Sequence, residues 1–595
     1  MRRNLLIVAL LAGATPAAAQ ARWTSAPIHD IAYEVTADSA AVGRRQLALT
    51  MTFGVDGAAP VVLALPAWSP GHYVLVWFAS RVTDFSVESG GVPLPWRKLD
   101  YQTWRIEPRG AGPVRVTFRY RADAVDRAIA WTAADFAFFN GTNLFLYPVG
   151  RGFDWPARVS IRTEPDWRIA TGMEPGPAAR SFQASNYHDL VDMPFYVGRF
   201  AIDSTRIAER WFRLAMYPAS SMTPARRDRI LGWLTKLAPV EIGVFGEAPF
   251  RNYTVFLRSD TVVNGGGLEH QSSQVDEVLT SQLDGPIAGL FAHEMFHAWN
   301  VKRLRPADLV PYRYDDAQPT PWLWVSEGIT DYYGGLAQTR SGISDEASFY
   351  EGTAGQIATD EELPPTALGD ASLAAWIGAS DNTAGLYYPK GALVGFLLDI
   401  MIRDASDNAH SLDGVMRSLY QETYKRGTGF TGSQWWSAVQ RAANGRSFSD
   451  FARRYVDGRE RLPVDSVLAL AALRVLSDTV REPRLGIQTR SDTAGVFVAF
   501  VTPGGAASIA GLLPGDLLVS IGDVPITGDA SFDAFRARYA GTSSVTLPLL
   551  VRRASAEATL TLPVRLFERV RTRVEPVPGA PAKAVQIRSG ILHGR

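Results

Sequence analysis

Apolar and polar positions alternate through the first third of the chain. Leu47, Leu49, Met51 and Phe53 are separated by smaller or more polar residues, and Val114, Val116, Phe118 and Tyr120 alternate with Arg115, Thr117 and Arg119. A period of two, punctuated by Gly and Pro, marks half-buried strands. It predicts a β-sandwich-like domain over residues 21–203. From about Arg206 the period lengthens. Thr223-Pro224 opens an amphipathic helix, with Thr as cap and Pro in the first turn. Helical character returns over Ile287–Arg303 and over 321–340, 390–404, 411–425, 432–443 and 447–457, so residues 204–475 read as a mostly helical domain with a few strands near its start. Short strands reappear at Val496–Val501, Asp516–Ile521, Val545–Val551 and Ala558–Val564, within a module spanning 484–565. Pro576, Pro578, Pro581 and several arginines suggest a tail or irregular extension over 566–595. No repeat of solenoid type is present. The expected fold class is multidomain α+β.

The first twenty residues follow a different pattern. Arg2 and Arg3 precede an apolar run from Leu5 to Ala12, and Ala17-Ala18-Ala19 supplies small residues before a bond cleavable ahead of Gln20. This is the layout of a secretory signal peptide over residues 1–19, and it predicts an exported protein, periplasmic or secreted from a bacterium. The run is shorter than the roughly 20 residues a bilayer span needs, and no later stretch of 18 uncharged apolar residues occurs. No integral membrane segment is expected after cleavage.

Composition adds exclusions. Lys+Arg and Asp+Glu both total 60, so the formal net charge is zero and nothing points to nucleic acid or an anionic membrane. The chain has no cysteine. That rules out disulfides, thiolate nucleophiles, cysteine zinc sites and a lipoprotein anchor. An exported chain without disulfides must be held by large cores, which 595 residues can build.

The candidate chemistry lies in Phe291-Ala292-His293-Glu294-Met295-Phe296-His297. Two imidazoles four residues apart on a helix share one face and can reach one zinc ion. Glu294, beside the first of them, is placed to take a proton from metal-activated water and pass it to the leaving amine. Catalytic zinc takes a third protein ligand and keeps one position open. Glu327, in Trp324-Val325-Ser326-Glu327-Gly328-Ile329-Thr330-Asp331, is the best third ligand, although taken alone it reads equally as a solvated helix carboxylate. Asp331, one turn on, suits the other ring N–H of His293.

His-Glu-x-x-His followed by a Glu on the next helix resembles the gluzincin peptidases. The longer string HEMFHAWNVKRLRP (His293–Pro306), with SEGITDYY, resembles the M61 glycyl aminopeptidase family. Pro66-Ala67-Trp68-Ser69-Pro70-Gly71, Gly266-Gly267-Leu268-Glu269-His270 and Tyr388-Pro389-Lys390-Gly391 extend the likeness, which covers about residues 25–565. The resemblance implies a thermolysin-like catalytic domain, one Zn2+ per chain and peptide substrates with a free N-terminus bearing glycine or alanine. It implies that Glu269 binds the substrate α-ammonium, that Gly266 and Gly267 let an edge backbone approach the peptide, and that Tyr388 stabilises the tetrahedral intermediate, with Tyr387 its rival. His270 reads either as a subsite residue or as an ordinary hydrogen-bonded histidine. Trp299, Asn300, Lys302, Arg303 and Arg305 match the family string and read as structural support.

The string VAFVTPGGAASIAGLLPGDLLVSI (Val498–Ile521) resembles a PDZ domain, which implies an extended peptide ligand added to a sheet edge. The turn Arg484–Ile487 is where a peptide carboxylate would be received. Two other functions stay open at this level: a zinc endopeptidase with an open-ended cleft, and a PDZ-centred peptide-binding protein with an idle metal site.

Overall fold

The computed structural model describes residues 22–263, 265–378, 383–492, 495–528, 530–542, 545–554 and 556–594. The expected signal peptide lies outside them. The chain divides into two compact units, one comprising Met1–Ser69, Leu75–Gly198 and Tyr314–Asp316, the other Pro70–Val74, Arg199–Arg313 and Ala317–Arg595.

The first unit is β-rich. Its largest sheet has eight strands, and two four-stranded sheets accompany it. The alternation read from the sequence is expressed directly in the ladder between Gln46–Val55 and Gly112–Arg121. There Leu47 faces Tyr120, Leu49 faces Phe118, Met51 faces Val116 and Phe53 faces Val114, and all eight are buried. Sheet periodicity puts these pairs on one face, so a one-residue slip would expose the whole set.

The second unit opens on a five-stranded sheet. Its order is Ala201–Ile207, Arg210–Tyr217, Asn252–Asp260, Ser273–Leu279 and Gly266–His270, so the glycine-bearing strand forms an edge. Thr223 caps the helix Pro224–Phe245 by accepting from the Arg226 N–H, with Pro224 in its first turn. The remaining helices, among them Ala288–Phe296, Ile329–Arg340 and Pro389–Ala405, bury Phe291, Met295, Phe296, Leu323, Leu336 and Leu397 in one core with that sheet. Ala384–Ala405 is long and apolar enough to cross a membrane, but its most apolar stretch is 83% buried inside the protein. It is therefore a core helix.

Two expectations are corrected here. Regular helix was expected from Ile287 to Arg303, but it ends at Phe296. His297 is the cap, and Ala298 and Trp299 bond back only three residues, to Met295 and Phe296. The Asn300 carbonyl, just beyond, faces His297 Nδ1 and accepts from the Thr330 hydroxyl. The last thirty residues are not an irregular tail. Leu566–Pro576 pairs along its whole length with Leu473–Pro483, forming a two-stranded ribbon that carries the PDZ module. Ala582–His593 is a helix, with Pro581 at its start, and Ile587, Ile591 and Leu592 enter the main core. Arg340 Nε donates to the Ile591 carbonyl at 2.9 Å. The prolines punctuate the segment between strand and helix rather than dissolving it.

The module between the ribbon strands is a sheet ordered Ile487–Asp492, Gly495–Val501, Leu517–Ile521, Thr546–Arg553 and Ala556–Pro563, with helices Ala506–Ile509 and Ala530–Arg538. Val496, Val498, Leu518, Ile521, Leu549 and Val551 form a separate core. Ile487–Asp492 is an edge strand, as peptide addition requires.

Candidate metal centre

Helical spacing brings His293 and His297 together, with their Nε2 atoms 3.0 Å apart. Glu327 Oε2 lies 3.2 Å from His297 Nε2 and 3.6 Å from His293 Nε2. Four-coordinate zinc with bonds of about 2.0–2.1 Å requires donors roughly 3.3–3.4 Å apart, so this trio fits the ion. The outer ring nitrogens are already committed. His293 Nδ1 meets Asp331 Oδ1 at 2.8 Å, and His297 Nδ1 meets the Asn300 carbonyl at 2.7 Å. A proton held on each Nδ1 leaves both Nε2 lone pairs free for a metal. Burial works against ionisation of Glu327, but the two rings together outweigh it and hold the carboxyl well below its usual range. Burial works against protonation of the two rings, but the carboxylates around them outweigh it and raise both; a bound ion would displace those protons, leaving two neutral imidazoles and one carboxylate as donors.

Glu327 sits on a π-helical turn, Trp324–Gly328, that runs into the helix Ile329–Arg340. Glycines on two elements fix that turn. A Cβ on Gly328 would lie 2.5 Å from Gly391 Cα and 2.5 Å from the Tyr387 carbonyl, and one on Gly391 would lie 2.9 Å from the Trp324 carbonyl. The glycines of Ser-Glu-Gly and Tyr-Pro-Lys-Gly thus let two helices touch, which sets Tyr388 beside the histidines. Asn300 fastens the other side: its Nδ2 donates to the Val325 carbonyl at 2.8 Å and to Thr330 Oγ1 at 3.1 Å.

Glu269 and Glu294 border the same centre. One donor atom each from Glu269, Glu294 and His297 lie within 4.8 Å of one another. Sheet alternation explains how the edge strand does this. Gly267 and Glu269 share a face, and a Cβ on Gly267 would lie 2.3 Å from Glu294 Cδ, so only glycine leaves room for that carboxyl. Burial pushes Glu294 up to about 7 against the pull of His293 and His297, which suits a group that must take and return a proton near neutrality. Burial likewise raises Glu269, with Lys302 the main force opposing it. Glu269 Oε1 has no hydrogen-bond partner, and Lys302 Nζ stands 3.9 Å away. Alternation sends His270, buried and paired opposite Ser273, to the other face. Gly266, at a φ of +97°, forms the entry to the strand.

Tyr388 packs on Tyr387 with ring centroids 4.6 Å apart and lies 6.1 Å from the His293 ring. Burial raises both phenols well above their usual range, so both remain O–H donors.

Two residues escaped the sequence reading. Tyr73 donates from its hydroxyl to Glu327 Oε1 at 2.9 Å. The motif read at Pro66–Gly71 stopped two residues short of it, and the Ser-Pro-Gly turn was the available signal. Glu241, on the helix Pro224–Phe245, is 1% exposed, and neither of its oxygens has a hydrogen-bond partner. Its core-facing position among Leu237, Ala238 and Val244 gave no sign of chemistry. Burial pushes its carboxyl well above the usual range, with His293 drawing it down. A folded pKa above the unfolded value gives stability that is full below about pH 4.3 and is lost, at about 1.4 kcal/mol per unit, as pH rises towards the folded value. Glu241→Gln cannot ionise in the unfolded chain. Its melting temperature should gain on wild type between pH 5 and pH 8, as calorimetry at both values would show. An equal offset at both would mean that Glu241 is ionised in the folded protein.

Residues 32–199 match the Peptidase M61 N-terminal domain, residues 287–394 the M61 glycyl aminopeptidase domain and residues 475–552 the PDZ domain. The fold and these matches make the chain a metallopeptidase, by class a metallo-aminopeptidase. More particularly, it matches both M61 peptidase domain models, and a PDZ domain match follows them. The crystal structure of an aminopeptidase N family protein from Idiomarina loihiensis is 25% identical, with a TM-score of 0.76 over 94% of this chain and 100% of that one. A substrate-bound mutant of an M1 zinc metallopeptidase from Deinococcus radiodurans is 16% identical, with a TM-score of 0.49 over 73% of this chain and 95% of that one. No curated protein matches the chain.

Proposed function

We propose that this protein is a zinc aminopeptidase that removes small N-terminal residues, glycine and alanine, from peptides. One observation carries the reading: a buried carboxylate, Glu269, brings a donor oxygen to within 4.8 Å of those of Glu294 and His297, while its Oε1 is held by no hydrogen bond and only by an ion pair to Lys302 at 3.9 Å. An anion so placed pairs with a substrate ammonium next to the scissile bond. Gly71 packs against the same carboxylate, where a Cβ would come within 2.4 Å. That favours an exopeptidase over a cleft open at both ends. The preference for small residues is supported by the match to the glycyl aminopeptidase model over residues 287–394.

His293, His297 and Glu327 would hold the ion, which when bound acidifies water and polarises a carbonyl. Glu294 accepts the proton of the attacking water and returns it to the leaving amine. The Tyr388 hydroxyl donates to the oxyanion of the tetrahedral intermediate, supported from behind by Tyr387. Asp331 and the Asn300 carbonyl keep the two rings in one tautomer.

Glycyl and alanyl p-nitroanilides and their N-acetylated counterparts test the substrate class. Turnover of the free amines with little or none of the blocked compounds is expected. Equal rates on both would replace this reading with an endopeptidase. Residues 1–19 are proposed to direct export to the periplasm or medium, and the exported protein should then begin at Gln20 on N-terminal sequencing. The PDZ domain is proposed to take an extended peptide along Ile487–Asp492.

A further inference from the structure

The two oxygens of Glu327 face different partners. Oε2 faces the histidine rings at 3.2 and 3.6 Å, and Oε1 accepts from the Tyr73 hydroxyl at 2.9 Å in a buried setting. A carboxylate free on both sides can chelate a divalent ion through both oxygens. That would occupy the position a catalytic site keeps open for water or substrate. We propose that Tyr73 is a positioning residue whose hydrogen bond to Oε1 restricts Glu327 to a single donor atom, Oε2, and so keeps a coordination position vacant. The inference rests on the metal site proposed above and goes beyond it by assigning a role to a residue outside the His-Glu-x-x-His and Ser-Glu-Gly motifs.

The segment bearing Tyr73 is built to hold that hydroxyl still. Pro70–Val74 belongs to the second unit. Lys302 Nζ donates to the Pro70 carbonyl at 2.9 Å. Gly71 adopts a φ of +101° and lies so close to the Glu269 carboxylate that no side chain fits between them. The Tyr73 ring is 6% exposed and meets Trp376 edge-on, with centroids 6.1 Å apart. The phenol is buried, so it has no water to exchange for Oε1. Removing its hydroxyl would leave a buried carboxylate oxygen unpaired and available to a bound ion.

The test is Tyr73→Phe in the full chain, titrated with Co2+ against a chromophoric chelator. The deciding readout is the coordination number, because a second Glu327 oxygen on the ion would offset the roughly 10–100-fold in affinity that loss of an outer hydrogen bond costs. The visible d–d bands should change from a four-coordinate to a higher-coordinate pattern, while far-ultraviolet circular dichroism shows the metal-free variant folded as wild type is, with a lower melting temperature from the unpaired oxygen. Should the variant fold poorly, infrared difference spectra of wild type on Co2+ binding still test whether one Glu327 oxygen or both ligate, which the proposal requires to be one. A wide splitting of the carboxylate stretches, as for one-oxygen ligation, supports the proposal, and a narrow splitting overturns it. A variant with the wild-type cobalt spectrum overturns it as well, leaving the metal site intact. Wild type that binds no cobalt would sink the metal reading itself and this inference with it.

Discussion

Glu294→Gln is expected to lower kcat for a glycyl amide by about 10²–10⁴-fold, the span that a lost general base costs, with the metal content unchanged. Gln matches Glu in shape, and the pocket demands that match, because Gly267 leaves no space for a larger or shifted group. The amide cannot accept a proton from water or hand one to the leaving amine, so the loss falls on the chemical step and KM moves little. His293 and His297 keep their positions, since their outer nitrogens are held by Asp331 and the Asn300 carbonyl. Steady-state kinetics with metal analysis on the same sample is the check. A variant within threefold of wild type would show that another group moves the proton.

Glu269→Gln is expected to cost about 30–1000-fold in kcat/KM on free-amine substrates, corresponding to the roughly 2–4 kcal/mol carried by a buried charged pair. Two effects add. The substrate ammonium loses its counter-ion, and Lys302 loses the carboxylate 3.9 Å from its Nζ. The incoming ammonium then approaches the Lys302 cation without the Glu269 charge to offset it. Rates on N-acetylated substrates, low to begin with, should be almost untouched. A matched fall on free and blocked substrates would mean that Glu269 shapes the site without reading the amine.

Much of this architecture was legible in the chain because the signals were local. Alternating residues such as Leu49 and Phe118 registered as strands and pair face to face, and His293 and His297 were joined by the pitch of one helix. Other features were out of reach for a physical reason: they arise from contacts between distant segments. The Tyr73–Glu327 bond spans 254 positions, and no periodicity reports such a pairing. The Gly328–Gly391 crossing explains two glycines that had looked like parts of separate motifs. The C-terminal helix was hidden by the prolines before it, which mimic disorder in composition while marking the limits of ordered elements. Glu241 shows the converse, a charged residue type placed in an apolar stripe where hydrophobic patterning expects none.

The claim on which the rest depends is that His293, His297 and Glu327 hold one divalent cation at the reacting centre. Elemental analysis of the chain purified without chelators, alongside Glu327→Ala, tests it most directly. The account predicts close to one zinc per wild-type chain, little in the variant, and hydrolysis that disappears on chelation and returns with added zinc. Full activity in protein stripped of all divalent cations would contradict it.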